Sequence, residues 1–224
     1  MTSDRPSPAV QDYLKCIYGL SESAQGRGSV STSGVAEALG VTSASASNML
    51  KRLGALGYVT QAGRGEFALT DGGRVQALRV LRFHRLLETF LVERLGVPLE
   101  EAHGEAEVLE HHLSESLGAR IAADLGHPGR DPHGDPIPGV DGVVEDVAGV
   151  RLADAPAGTR SRVVRVSDRD AALLGFLARA GLVPGAECEV VEHQPFEGPT
   201  VVRLSGADVP VPPGAARAVF LDVP

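Results

Sequence analysis

Between Pro8 and Leu69 the apolar residues change spacing in an order few folds accommodate. Val10, Tyr13, Leu14, Ile17 and Leu20 recur at helical intervals, which predicts a first helix over Pro8–Ser23. A Gly/Ser-rich loop, Gln25–Ser31, follows. A short helix is expected over Ser33–Leu39, stopped by Gly40, with Thr42 as the N-cap of a third helix. That third helix carries Ala46, Met49, Leu50 and Leu53 on one face and ends near Gly57. Tyr58–Thr60 and Glu66–Leu69 then flank a turn, Gln61–Gly65, and read as a hairpin. Helix, short helix, helix, hairpin is the winged helix-turn-helix order.

The rest of the chain changes character twice. Asp71 to about Leu95 reads as a long helix, with Leu78, Leu81, Leu87, Phe90 and Leu91 apolar. Pro98 interrupts it, and a second helix is expected from Leu99 to about Leu117, continuing with a bend toward Leu125. A turn-rich stretch with four prolines, Gly126–Gly139, closes this part. Beyond residue 150, short β-like runs (Arg162–Val166, Glu187–Glu192, Thr200–Leu204, Ala218–Val223) surround one helix, Asp168–Ala180, which suggests a small SH3-like β-barrel. The expected fold is mainly α with β: a winged-helix domain over residues 1–73, a helical domain over 74–142 and an SH3-like barrel over 150–224. Tryptophan is absent and aromatics are only 4%, so the cores must be built from Leu, Val, Ala and Ile.

Several classes are disfavoured. No apolar run approaches the roughly 18–20 residues that span a bilayer. The start, MTSDRPSPAV, has neither the basic end nor the apolar stretch of a signal peptide. Cys16 and Cys188 suggest no disulfide framework, so a reducing cytoplasm is expected. Nucleophile-elbow, P-loop and HExxH motifs are missing, and the chain is read as a non-enzyme.

The formal charge of −8 argues by itself against nucleic acid, but it is unevenly spread. Residues 1–75 hold seven basic and six acidic side chains, whereas residues 76–142 hold six and twelve, together with six of the seven histidines. Within that acidic middle, Glu107, Glu110 and His111 stand at i, i+3 and i+4, and His103 lies one turn earlier. His84 and Glu88 repeat the i, i+4 spacing on the preceding helix. Imidazole and carboxylate facing each other from two helices suit a divalent cation. The alternative is a solvated acidic face with incidental histidines. On the third helix, Thr42, Ser43, Ser45, Ser47, Asn48, Lys51 and Arg52, with Arg64 on the wing, form a candidate DNA-reading surface. Few basic residues means few phosphate contacts per subunit, so a homodimer on a palindromic double-stranded operator is expected.

These residues resemble the iron- and manganese-dependent repressors, the diphtheria-toxin-repressor family. The resemblance rests on Asp12-Tyr-Leu-Lys-Cys-Ile-Tyr, His84-Arg-Leu-Leu-Glu88, the stretch His103–His111, and Pro132-His-Gly-Asp-Pro-Ile-Pro138, and it spans essentially the whole chain. It implies a metal-dependent transcriptional repressor with two metal sites per subunit and a helical dimerisation domain. Carried over by position, a primary site would use Asp12, Glu107, Glu110 and His111, with His84 as a further ligand. An ancillary site would use Glu88 and His103, with help from Asp131, His133 and Asp170. Iron-type members carry Met where this chain has Asp12 and Cys where it has Glu107. The oxygen ligands found here favour Mn(II), with Fe(II) as the alternative. Manganese-type members with a two-metal primary cluster have an acid where this chain has Lys15. Leu173 replaces a Gln ligand of the iron type, and Asp170 reads equally as ligand or helix cap.

The mechanism this implies is a metal-gated linkage. Without metal the carboxylates repel one another and the winged helices float; with metal, Asp12 is tied to Glu107, Glu110 and His111, and the winged helices match successive major grooves. The competing readings are a metal-dependent hydrolase and a metal-free winged-helix regulator answering a small ligand.

Overall fold

The computed structural model of the protein describes residues 5–23, 28–145, 148–168 and 170–222. They divide into two compact units. The first is Met1–Phe83 with Glu110–His112 and Pro138–Val143; the second is His84–Leu109, Leu113–Ile137 and Val144–Pro224.

In the first unit, α1 (Pro8–Ser23) is followed by β1 (Val30–Ser31), α2 (Thr32–Ala38), α3 (Ser43–Ala55), β2 (Val59–Gly63) and β3 (Glu66–Leu69). The helices start where short hydroxyl side chains replace the missing intrahelical acceptors. Ser31 accepts from the Gly34 amide, and Thr42 from the Ser45 amide. The buried faces follow the helical period: Val10, Leu14 and Ile17 of α1, Val35 of α2 and Ala46, Leu50 and Leu53 of α3 are all buried. Each fully buried Leu contributes about 1.5–3 kcal/mol through the apolar area it removes from water.

The winged-helix order is as expected, with two local differences. The hairpin gains a third strand, because β1 pairs with β3 (Val30 with Phe67, Ser31 with Glu66), and two residues are too few to leave a period. Strand β2 runs on to Gly63 through an irregularity between Gln61 and Gly63, so the turn shrinks to Arg64 and Gly65, where Gly65 takes a φ of +76°. Of the expected Gln25–Ser31 loop, residues 25–27 lie outside the described residues. The long helix α4 (Asp71–Leu95) begins behind Thr70, whose hydroxyl accepts from the Gly73 amide.

The second unit contains α5 (Leu99–Leu109) and α6 (Glu115–Asp124). The expected single bent helix is in fact two. Ser114 caps α6 by accepting from the Leu117 amide, which ends helical pairing upstream. Glu110, His111 and His112 therefore form a turn after α5 instead of continuing its face.

The C-terminal strands are β4 (Val150–Arg151), β5 (Arg160–Val166), β6 (Glu187–His193), β7 (Thr200–Leu204), β8 (Ala207–Val211) and β9 (Val219–Leu221). They pair antiparallel in the order β4-β9-β5-β6-β7-β8. Among the described residues β4 and β8 are opposite edges of this sheet, so the expected closed barrel is an open SH3-like sheet. Its core is aliphatic, with Leu152, Val163, Leu174, Leu177, Val190, Val202 and Val219 fully buried. Strand β8 carries Pro210, which argues against a strand in the sequence but is tolerated here because β8 is an edge. Helix α7 (Ala171–Ala180) starts three residues later than expected, and α8 (Pro213–Ala216) is a single turn.

Candidate metal centres and nucleic-acid interface

Three residues of the first unit converge where α1 meets the turn after α5. Asp12 Oδ1 lies 2.9 Å from His111 Nε2, and Glu110 Oε1 lies 3.6 Å from the same nitrogen. One ligand atom from each of the three falls within 4.8 Å of the others. The imidazole is oriented from behind. His111 Nδ1 donates to Gln11 Oε1 at 3.1 Å, and the Gln11 amide is itself held by donating to the Pro6 carbonyl at 2.6 Å. This fixes the tautomer and leaves the Nε2 lone pair facing two carboxylates, an arrangement that calls for a cation. Glu110 is fully buried and its Oε1 also accepts from Lys15 Nζ at 2.7 Å. Glu110 thus has a cationic neighbour in Lys15, and Asp12 faces the imidazole nitrogen.

A second set gathers in the second unit around Glu88, which is fully buried. Its Oε1 lies 2.9 Å from His84 Nε2 and 3.1 Å from His103 Nδ1, and Asp168 Oδ2 is 3.4 Å from the same His103 nitrogen. Its Oε2 faces His133 Nδ1 at 3.7 Å. The loop that carries His133 is built tightly. Asp131 Oδ1 accepts from the His133 and Asp135 amides, both at 2.9 Å, and the His133 carbonyl accepts from Val166 at 2.9 Å. Gly134 is obligatory there: its φ is +90°, and a Cβ would run into the Val164 carbonyl. Arg85 reaches Asp131 at 3.5 Å and Asp135 at 3.6 Å. Two groups of potential ligands result, His84–Glu88–His103–Asp168 and Glu88–Asp131–His133, and they share Glu88.

The second group passes a simple test of fit to a metal. Glu88 Oε2, Asp131 Oδ2 and His133 Nδ1 are buried with no hydrogen-bond partner. Such orphaned atoms are costly unless an ion satisfies them. In the absence of an ion, protons take its part. Asp168, and then Glu88, push His103 up to about 10 against burial. Burial works to lower His133, but Glu88, Asp131 and Asp168 raise it to about 9. Burial, aided by Glu88 and Asp135, lifts Asp131 to about 8 despite Arg85. Burial opposes ionisation of Glu88, yet the surrounding His103, His133 and His84 hold it well below the usual carboxylate range.

The structure sorts the sequence-predicted ligands in its own way. Asp12, Glu110 and His111 come together; Glu107 does not join them, being exposed on α5 with its carboxylate 3.7 Å from His103 Nε2. His84 groups with Glu88 and His103. Asp131 and His133 join Glu88. Asp170 is the N-cap of α7, where its Oδ1 accepts from the Ala172 and Leu173 amides. Of these two neighbouring acids, Asp168 is the one that reaches His103. Sequence reasoning missed Asp168 and Gln11. In Ser-Asp-Arg-Asp either acid fits a cap, and only the start of α7 at Ala171 decides between them.

On α3 and the wing, Thr42, Ser43, Ser45, Asn48, Lys51, Arg52 and Arg64 are exposed and Ser47 is half-buried. The Thr42 and Ser45 hydroxyls hydrogen-bond each other at 2.9 Å, so both help to cap α3. Asn48 and Lys51 are one turn apart on the exposed face, opposite buried Leu50 and Leu53.

Known proteins resemble the chain over nearly its whole length. Residues 7–66 match the iron dependent repressor N-terminal DNA binding domain, residues 70–139 the iron dependent repressor metal binding and dimerisation domain, and residues 150–223 the FeoA domain. The chain is 34% identical to the iron-dependent repressor IdeR of Mycobacterium tuberculosis over 222 residues, covering 94% of this chain and 95% of that protein. It is 38% identical to the HTH-type transcriptional regulator MntR of Oceanobacillus iheyensis over 116 residues, covering 52% of this chain and 76% of that one. A solved manganese-dependent transcriptional repressor in complex with manganese superimposes with a TM-score of 0.86 at 42% identity, covering 95% of this chain and 98% of the other.

Proposed function

The chain belongs to the iron-dependent repressor family and is a metal-dependent transcriptional repressor; from that premise we propose that it senses Mn(II) through two centres per subunit. Asp12, Glu110 and His111 would hold one ion. Glu88, with His84, His103 and Asp168 as one group and Asp131 and His133 as the other, would hold the second. A bound divalent cation supplies the positive charge that lets these carboxylates and imidazole lone pairs face one another. The single observation that carries the switch is the 2.9 Å approach of Asp12, on the first helix of the winged-helix segment, to His111, in the turn after α5. Asp12 and His111 tie α1 to that turn, and Gln11 holds the ring so that it faces Asp12.

Oxygen and nitrogen ligands without sulfur favour Mn(II), in keeping with the manganese-bound structural relative. Fe(II) fits the same donor set and is the second reading. Three functional segments are proposed, 1–73, 74–142 and 150–224, in keeping with the ranges of the three family matches. The protein would act as a cytoplasmic homodimer on an operator, without enzymatic activity. Val108, Leu109 and Leu117 leave large apolar side chains exposed on α5 and α6, which supports pairing through the helical segment. Among the described residues no helix is long and apolar enough to cross a membrane. The test is operator binding measured in parallel with Mn²⁺, Fe²⁺, Zn²⁺ and no metal. Equal affinity without metal would sink the proposal.

A further inference from the structure

Lys15 stands one turn after Asp12 on α1, and its ammonium sits on the oxygen that Glu110 turns toward His111. We propose that Lys15 is an internal counter-ion that holds the place of the metal on Glu110 Oε1, so that this centre loads by exchange of one cation for another. The inference rests on the reading of Asp12, Glu110 and His111 as a metal centre.

The reasoning begins with Glu110, which is fully buried. A buried carboxylate must be neutralised by a partner or by a proton. Lys15 Nζ supplies that partner at 2.7 Å. The same Oε1 belongs to the ligand set, and the nearest His111 nitrogen is 3.6 Å away. A divalent ion bound by His111 and Glu110 Oε1 meets the ammonium at close range, where two positive charges repel strongly. Lys15 can leave: its side chain is 18% exposed, and a flexible stem lets the head swing to water. The residue type fits this part. Only two of the 21 basic residues are lysines, Lys15 and Lys51. Arg would grip the carboxylate through a planar fork, whereas Lys binds as a single, strongly hydrated point charge that releases more easily. Exchange keeps Glu110 neutralised whether or not metal is bound, and it sets the affinity of the centre below that of the bare ligand set.

The test uses the full-length protein and Mn²⁺ alone. Lys15→Met is expected to lower the melting temperature of the metal-free protein, to tighten Mn²⁺ at this centre by roughly tenfold or more, and to enlarge the rise in melting temperature on adding Mn²⁺. Unchanged or weaker Mn²⁺ binding by Lys15→Met overturns the proposal. A second measurement needs no variant. Reductive methylation of the wild-type protein, read by mass spectrometry, should label Lys15 faster with Mn²⁺ than without, while exposed Lys51 reacts equally in both. A Lys15 labelling rate that Mn²⁺ leaves unchanged or lowers also overturns it. His111→Ala separates the two levels. If that variant retains both ions at wild-type affinity, the reading of the centre itself is wrong. If it loses one ion while Lys15→Met binds as wild type, only the exchange is wrong.

Discussion

His133 Nδ1 and Glu88 Oε2 face each other at 3.7 Å, both side chains out of solvent and neither atom hydrogen-bonded. The other ring nitrogen of His133 donates to the Leu99 carbonyl at 3.3 Å, so a neutral ring points its Nδ1 lone pair at a carboxylate. Two electron-rich atoms are held so only if a positive charge lies between them. That charge is either a second proton on the ring or a metal ion, and the competition between the two has measurable consequences.

The first is pH dependence. Their acidic neighbours raise His103 from 6.5 to about 10 and His133 from 6.5 to about 9. A raised folded pKa means that the folded state binds the proton more tightly than the unfolded state. The stability this contributes is complete below about pH 6.5 and is lost as pH rises through 9 and 10. Asp131, raised from 3.8 to about 8, acts in the same direction over its own lower window. Metal-free protein should therefore lose melting temperature as pH climbs from 6.5 to 9, and Mn²⁺ should restore most of it. Mn²⁺ uptake at pH 7 should release protons, seen as a calorimetric enthalpy that changes with the ionisation enthalpy of the buffer. An enthalpy independent of buffer would contradict the ligand assignment.

The neighbouring acids Asp168 and Asp170 should separate cleanly. Asp170 caps α7 through two backbone amides and is exposed. Asp170→Ala is expected to cost about 1 kcal/mol of stability and to leave Mn²⁺ stoichiometry unchanged. Asp168→Ala removes a carboxylate 3.4 Å from His103 and should weaken Mn²⁺ at the Glu88 centre. Calorimetry on the two variants side by side decides it, and the reverse pattern would return the ligand role to Asp170.

Gln11 offers a subtler case, because it acts on the centre through the His111 ring. Its side-chain oxygen fixes the His111 ring, and its nitrogen is anchored on Pro6. Loss of such an orienting partner typically costs about 10–100-fold in metal affinity. Gln11→Ala should weaken Mn²⁺ at the Asp12 centre by that order while the Glu88 centre is unaffected. Equal weakening at both centres would point to general destabilisation instead.

These cases show what the sequence could and could not disclose. The winged-helix order was legible because Gly40, Thr42 and Gly57 mark helix ends that the structure uses. Glu88, His103, Glu110 and His111 were legible as candidate ligands from composition and spacing. The grouping was not. Helical spacing placed Glu107, Glu110 and His111 on one face, but Ser114 caps a new helix and frees Glu110 and His111 into a turn while Glu107 stays on α5. The open C-terminal sheet escaped notice for a similar reason: closure depends on pairing between β4 and β8, which no local period encodes.

The DNA-reading surface gives the last prediction. Lys51, Arg52 and Arg64 are exposed on α3 and the wing, and their charge acts on phosphates whatever the base sequence. Each one that neutralises a phosphate should contribute about 0.9 to the slope of log affinity against log salt, counted per subunit of a dimer. Lys51→Ala and Arg64→Ala should then weaken specific and non-specific sites alike and flatten that slope. Asn48 is different in kind, since its amide can pair with the two acceptor and donor atoms of an adenine edge. Asn48→Ala should leave the salt slope nearly unchanged and erode discrimination at one position of each half-site by about 1–3 kcal/mol. Binding to an operator and to scrambled DNA, at several salt concentrations with saturating Mn²⁺, separates the two behaviours. An Asn48→Ala variant that weakens both DNAs equally would show that this side chain does not read a base.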